Sequence, residues 1–457
     1  MSQLNKKKME KRWVILMTIM IAISIIGLLT PETENVWESD GNLNYANIAW
    51  MITATIFVLM MTPGLSFFYG GMVGQKNVIS TILQSFIAMG IISVLWIFVG
   101  FSLAFGTDIG GFIGDPTTFF MFKNVGAKVD TFLAPTIPLA LFALFQMKFA
   151  IITPSLITGS FAERVRFSAY MVFMILFCLF VYCPLAHWTW HPDGFLRQLG
   201  VLDFAGGIVV HASSGIAAFA GAIFLGKRQN LDRLHIPANI PLVILGASML
   251  WLGWFGFNAG SSLAADGIAV KAFLNTNTAS ATAMLVWIFF DCIRGRKPSA
   301  MGAAVGAVVG LVAITPSAGY VTVGESIFIA LVTTIICNIA VYWKNRTSID
   351  DALDVFPTHG VGGIIGTVMT GIFVNGLIAG EVKVFFIHLL AILVVCGYTF
   401  VVSYALYWIT NKMIPMRVSA DHEKVGLDIS QHNEQYGFST VGPRELAEYD
   451  EDMSEGL

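Results

Sequence analysis

Charge is scarce in this chain. Only 12% of its 457 residues are Asp, Glu, Lys or Arg, against about 25% in a soluble domain. With 56% hydrophobic residues and a mean hydropathy of +0.74, no soluble fold of this size could hide so much apolar surface. Water is therefore not the solvent for most of the protein. A net charge of -3 gives no pull towards nucleic acid. Paired cysteine motifs are also missing. Cys178, Cys183, Cys292, Cys337 and Cys396 form no CxxC pair, which argues against a disulfide framework and a zinc site. They read as buried thiols packing as small apolar groups.

What is abundant is the long apolar run. A helical span needs about 20 mainly apolar residues. Eleven such stretches follow residue 44, at 44–70, 78–106, 137–159, 166–187, 202–226, 239–263, 269–293, 299–316, 322–343, 359–377 and 384–411. Gly, Pro and charged residues mark the breaks. The 44 glycines suit helices that approach one another closely. The expected fold class is an all-α integral membrane protein of about eleven transmembrane helices.

Lys and Arg concentrate in alternate loops, at Lys76, Arg164, Arg166, Lys227, Arg228, Arg233, Arg294, Arg296, Lys297, Lys344, Arg346, Lys412 and Arg417. The positive-inside rule makes those loops cytoplasmic, so the first span starts outside and the last ends in the cytoplasm. The acidic segment 31–43, with Glu32, Glu34, Glu38 and Asp40, agrees. Before it lie Lys6, Lys7, Lys8, Lys11, Arg12 and an apolar run from Trp13 to Leu29. This is a signal peptide or an extra helix, and the lack of a clear A-x-A site favours the helix. Three regions result: 1–43 leading segment, 44–413 membrane domain, 414–457 cytoplasmic tail.

A faint internal echo runs through the spans. Pro63-Gly-Leu-Ser-Phe-Phe-Tyr-Gly-Gly71 in span one answers Gly253-Trp-Phe-Gly-Phe-Asn-Ala-Gly260 in span six. His211 in span five and His359 in span ten each sit amid glycines. An offset of five spans reverses the second copy, giving an inverted 5+5 repeat plus one. Transporters of this kind hold their site between the halves.

Ionisable groups inside a membrane are expensive, so each calls for a reason. Lys148, Asp203, His211 and His359 are the main candidates, and His388 also lies inside a span. Two histidines at equivalent points of an inverted repeat would meet at the interface of the halves. Such imidazoles can pass a proton, hydrogen-bond a small polar solute, or hold haem or metal axially. Asp203 fits either a helix cap or a carboxylate favouring a nearby cation. Trp190, placed in an extracellular loop by these boundaries, fits either an interfacial belt or a cation–π site.

Several stretches resemble the ammonium transporter (Amt/Mep/Rh) family, on the Amt side. They are Met61-Thr-Pro-Gly-Leu-Ser-Phe-Phe-Tyr-Gly-Gly71, Phe161-Ala-Glu-Arg-Val-Arg-Phe167, Asp203-Phe-Ala-Gly-Gly-Ile-Val-Val-His211, Gly253-Trp-Phe-Gly-Phe-Asn-Ala-Gly-Ser261 and Asp354-Val-Phe-Pro-Thr-His-Gly-Val-Gly-Gly363. The resemblance implies a homotrimer in the cell membrane, with one eleven-helix pore per subunit. It implies a recruitment site for ammonium at Phe149, Trp190 and Ser261, where aromatic faces hold the cation and the Ser261 hydroxyl accepts a hydrogen bond. It further implies a stacked gate at Phe149 and Phe257, twin pore histidines at His211 and His359, and a supporting role for Asp203. No cofactor, metal or enzymatic activity is implied. The tail Arg417-Val-Ser-Ala-Asp-His-Glu-Lys-Val-Gly-Leu-Asp428 also matches. There the resemblance implies packing on a neighbouring subunit and a PII-type signalling protein as cytoplasmic partner. An ammonium sensor and an Rh-type gas channel are the alternatives. Lys148, between Phe145 and Phe149, departs from the family pattern. Counted from residue 137 it lies about 16 Å along its helix. It would pair with a carboxylate at a subunit interface or be kept neutral by burial.

Overall fold

A computed structural model describes residues 3–38, 42–229 and 236–437, with side chains from Trp13 onward. Asp40, Arg233 and residues 438–457 lie outside the described residues, as do the side chains of Lys6, Lys7, Lys8, Lys11 and Arg12.

Ten helices among the described residues are long and apolar enough to cross a membrane. They match ten of the eleven expected spans: Tyr45–Met72, Gln75–Phe105, Leu139–Ile157, Phe167–Leu199, Gly207–Leu225, Ile240–Gly260, Gly267–Ile293, Val323–Lys344, Phe356–Ala379 and Val382–Met413. The remaining one, span eight, is the shorter helix Ala300–Ile314. At a rise of 1.5 Å per residue it measures about 22 Å, short of the hydrocarbon thickness. Its residues from Gly306 to Ile314 are all buried, so other helices rather than lipid surround it. The leading helix Gln3–Leu29 precedes the spans and presents Trp13, Leu28 and Leu29 outward. A two-stranded hairpin, Asp108–Ile109 with Ile113–Gly114, is the sheet in the described residues.

Polar residues set where several spans start. The Asn44 side chain accepts from the N–H groups of Ala46 and Asn47. Asn239 accepts from Leu242, Asp266 from Ala269, and Ser299 from Gly302. Thr322 and Glu325 form a reciprocal capping box. Each satisfies N–H groups that a helix start leaves without partners.

Spans one and six pack on each other, as do spans five and ten. That is the pairing an inverted repeat requires. Glycine makes both contacts close. A Cβ on Gly64 would lie 2.9 Å from the Cβ of Met249, and one on Gly256 would lie 2.6 Å from that of Phe57. At the second crossing, a Cβ on Gly215 would overlap the backbone of Gly360. One on Gly363 would sit 2.6 Å from the Gly207 carbonyl and 2.7 Å from the Ala212 nitrogen.

The described part of the tail, up to residue 437, lies across the end of the bundle that carries Arg164, Arg228 and Arg417. Arg166 N–H donates to Met416 and Val418 N–H to Arg164. Arg417 donates to the carbonyls of Leu225 and Lys227, and pairs with Glu423 at 2.9 Å. Asp428 accepts from Ser80 N–H, and Asn239 donates its side-chain amide to Tyr436.

Candidate functional site

The site is built at the second glycine crossing. Gly206 adopts φ +117°, a left-handed conformation that favours glycine. It turns the chain from the extended Asp203 region into span five. The first turn of that helix is wide: His211 N–H donates to the carbonyl of Gly206, five residues back. His359 lies in a turn of the same π type, Phe356–Gly360. Such turns recur at functional sites because they re-aim side chains at little cost to the rest of a helix. Here both imidazoles are aimed into the gap between the halves.

There the two rings meet. Nδ1 of His211 lies 3.4 Å from Nδ1 of His359, and the ring planes differ by 26°. A contact between two ring nitrogens of this kind holds one proton, so one ring donates and the other accepts. Both residues are buried, with 1% and 2% exposure. His211 Nε2 is buried without a hydrogen-bond partner. The indole of Trp254 stacks on His211 at 5.2 Å and is held by a hydrogen bond from Nε1 to Thr315 Oγ1. The cavity around the histidines is otherwise apolar, lined by Met61, Leu65, Phe68, Ile152, Leu156, Leu250 and Val308.

Aromatic rings close one end of this cavity. Phe257 lies 5.9 Å from His211 and stacks on Phe149 at 4.2 Å. Phe149 in turn meets the edge of Trp190 at 5.8 Å and 86°. Ser261 sits one turn beyond Phe257 and donates its hydroxyl to the Phe257 carbonyl at 2.8 Å. That leaves the Ser261 oxygen free to accept. The sequence-predicted residues Phe149, Trp190, Phe257, Ser261, His211 and His359 thus form one connected series.

Trp190 corrects one expectation. It is the last residue of the continuous helical run from Phe167, ahead of the break at 191–194 that separates the short helix Phe195–Leu199, and not a loop residue, because the run goes three residues past the expected boundary. Its indole N–H donates to the Asp203 carbonyl at 3.0 Å. Two histidines brace this helix end. His187 makes hydrogen-bond contacts with the Ala104 carbonyl at 2.9 Å and the Asp108 carboxylate at 2.8 Å, and His191 stacks on it at 4.4 Å. Burial would raise the Asp108 carboxyl, but the hydrogen bonds from His187 and the Gly111 N–H, together with the charges of His187 and His191, outweigh it and hold the group below its usual range.

Asp203 caps the helix that carries His211. Its Oδ1 accepts from Gly206 and Gly207, and its Oδ2 from Ile208 and Val209. Of the two readings open in the sequence, the cap is the one its hydrogen bonds describe. Lys148 is half-buried and contacts the Met147 sulfur at 3.8 Å. Within the described protomer it forms no ion pair with a carboxylate.

The opposite end of the bundle carries a charge network that the sequence reading missed. Arg228 pairs with Glu163 at 2.7 Å and with Asp350 at 2.9 Å, and the buried Arg164 lies 3.7 Å from Asp350. Burial alone would raise the Asp350 carboxyl. The Arg228 hydrogen bonds and the two guanidinium charges outweigh it and hold the group below the usual carboxylate range. Asp351 has no guanidinium partner, and burial outweighs the Lys344 charge and the Phe356 N–H and pushes it up to about 6. The alternation of basic loops was a signal for this end, but it could not pair particular residues.

Comparisons with known proteins agree on one family. Residues 49–436 match the Ammonium Transporter Family. A relative described as a putative ammonium transporter, from Methanothermobacter thermautotrophicus, is 45% identical, covering 86% of this chain and 98% of its own. The crystal structure of Saccharomyces cerevisiae Mep2 superposes with a TM-score of 0.81 at 35% identity, over 88% of this chain and 94% of that one. A structure described as a sensor Amt protein reaches 0.77 at 32% identity, over 85% and 98%. With its paired histidines behind stacked phenylalanines in a multi-pass membrane bundle, the chain belongs to the ammonium transporter family.

Proposed function

We propose that the protein moves ammonium across the cell membrane through one pore per subunit. Trp190, Phe149 and Ser261 would recruit the cation, Phe149 and Phe257 would gate it, and His211 and His359 would line the passage. The observation that carries this reading is the contact between His211 and His359 directly behind the stacked Phe149–Phe257 pair. An apolar passage of this kind makes a naked cation costly. K+ and NH4+ are similar in size, but only ammonium has a removable proton. Deprotonation at the gate, passage of NH3 and transfer of the proton along the imidazoles would reject K+. At the mouth, cation–π attraction to Trp190 and Phe149 and the Ser261 oxygen would replace lost water. Asp203 supports the site by fixing the His211 helix and the Trp190 indole.

The functional unit in this reading is a homotrimer. The Trp190 end faces outside, and the tail faces the cytoplasm, where a PII-type protein would bind. In the same reading the leading helix Gln3–Leu29 would stay at the membrane as an extra helix rather than be removed as a signal peptide.

The test is solid-supported-membrane electrophysiology on purified protein in liposomes, with ammonium and then potassium pulses. A saturable ammonium current, absent with potassium and reduced in His211→Ala with the fold intact, is the expected result. Ammonium-dependent pH change without current would replace electrogenic movement with NH3 passage. Neither signal, in folded protein, would refute transport and favour a sensor.

A further inference from the structure

His388 belongs to none of the pore elements, yet it is fully buried on span eleven, the span with the smallest buried share among the ten long ones. A polar ring in that position calls for a purpose. Its Nδ1 lies 2.8 Å from the Val384 carbonyl in its own helix, which can only accept, so Nδ1 carries the proton. Nε2 lies 3.1 Å from the Leu202 nitrogen and 3.3 Å from the Leu202 carbonyl; with the proton at the shorter carbonyl contact of Nδ1, Nε2 is left to accept from the Leu202 N–H. Gly371 of span ten lets the helix backbones close over the ring, since a Cβ there would sit 3.1 Å from the His388 Cβ.

Leu202 is next to Asp203, and the next N–H, that of Phe204, donates to the Pro316 carbonyl at 3.0 Å. The extended segment is therefore pinned on both sides of Asp203, by span eleven at Leu202 and by the end of span eight at Phe204. Between the pins, the Asp203 carbonyl holds the Trp190 indole and its carboxylate holds the His211 helix. Without His388 the Leu202 N–H loses this acceptor and the segment loses its pin to span eleven, which frees it to rotate away from Trp190.

We propose that His388 is a positioning residue for cation recruitment, holding the Leu202–Asp203 backbone so that Trp190 faces the pore mouth. This rests on the reading of Trp190 as part of the recruitment site. Asn and Gln separate the role from mere packing. The Gln amide reaches the position of Nε2 and can accept from Leu202, whereas the Asn amide reaches only that of Nδ1.

The experiment measures ammonium currents against concentration for wild type, H388N, H388Q, W190L and H388N/W190L, each checked for folding by size exclusion and thermal melting. H388N should raise the half-saturating ammonium concentration about fivefold, as loss of a hydrogen bond would, with maximal current within about twofold of wild type. H388Q should recover most of that shift. The H388N shift should shrink in the W190L background, because both changes act on one contact. Equal half-saturation in H388N, H388Q and wild type, with W190L shifted, would overturn the positioning role alone. So would a fully additive double variant. No shift in W190L would instead overturn the recruitment reading on which the inference rests. Loss of stability or maximal current in H388N at unchanged half-saturation would assign the residue to folding.

Discussion

Adding a methyl group at Gly363 tests whether the spacing of the two halves sets the spacing of the histidines. The new Cβ would lie 2.6 Å from the Gly207 carbonyl, 2.7 Å from the Ala212 nitrogen and 3.0 Å from the His211 Cβ. Two of these neighbours are backbone, so no side chain can swing aside. Ordinary contact begins near 3.4 Å, so the helices must part by roughly 0.7 Å, against a close-packed interior. The Nδ1–Nδ1 contact is already 3.4 Å. Parting the helices would carry it to about 4 Å, beyond hydrogen-bond range. Overpacking of this kind costs about 1–3 kcal/mol. Misplacing reacting groups by about 1 Å can cost about a hundredfold in rate. Gly363→Ala should therefore lower the maximal ammonium current at least tenfold while melting only a few degrees lower. Currents from liposomes of matched protein content, with melting curves on the same preparation, read both. Native current in a variant of native stability would refute the argument that backbone spacing controls the pair.

Three further outcomes follow from the geometry. Asp203→Asn turns one acceptor oxygen into a donor facing N–H groups that already donate. It should cost about 1–3 kcal/mol in a denaturant or thermal series and reduce the current. Unchanged stability would mean the cap contributes little. Arg228→Met leaves Glu163 and Asp350 without their main partner and should lower stability by about 3–5 kcal/mol. The lowered Asp350 pKa stabilises the fold above the unfolded value of about 3.9, and that contribution is lost as pH falls through the folded value. The acid limb of a melting-temperature profile should accordingly flatten in Arg228→Met. Asp351 has the opposite sign. Its folded pKa is raised to about 6, so its contribution to stability falls as pH rises from about 4 to 6 and stays low above that. Asp351→Asn should melt higher than wild type at pH 7.5, with the difference shrinking by pH 5. A constant difference across that window would contradict the assignment.

Much of the fold was legible because a membrane span leaves its length in composition. The twin histidines were legible too, through their five-span offset and their glycine neighbours. Trp190 was misplaced because a polar His-Pro pair follows it in the sequence, and the helix ends only when it reaches that pair. The π turns at His211 and His359 left no trace, since they are a matter of hydrogen-bond register rather than residue type. Asp203 stayed ambiguous because a cap and a cation partner both ask for a carboxylate in the same place. Its four N–H partners show the cap, which only the folded chain could reveal. Lys148 shows another limit. Its depth could be counted along the chain, but whether a carboxylate reaches it depends on neighbouring helices.

The glycine crossing between spans five and ten has a consequence for how such a molecule can move. Carriers that rock expose their site alternately by tilting one half against the other. Here Gly215 and Gly363 leave no slack between the halves at mid-depth. Asp350, which follows span nine in the second half, is pinned to Arg164 and Arg228 of the first. At the other end Leu202 and Phe204 are pinned to spans eleven and eight. A tilt would have to break all three sets of contacts at once. On the proposed mechanism, the motions left to the pore would be small: a ring flip at Phe149 or Phe257, or a proton passed between two imidazoles. In the transport reading proposed above, the halves would stay locked at these contacts and the side chains of the pore, rather than whole domains, would be its working parts.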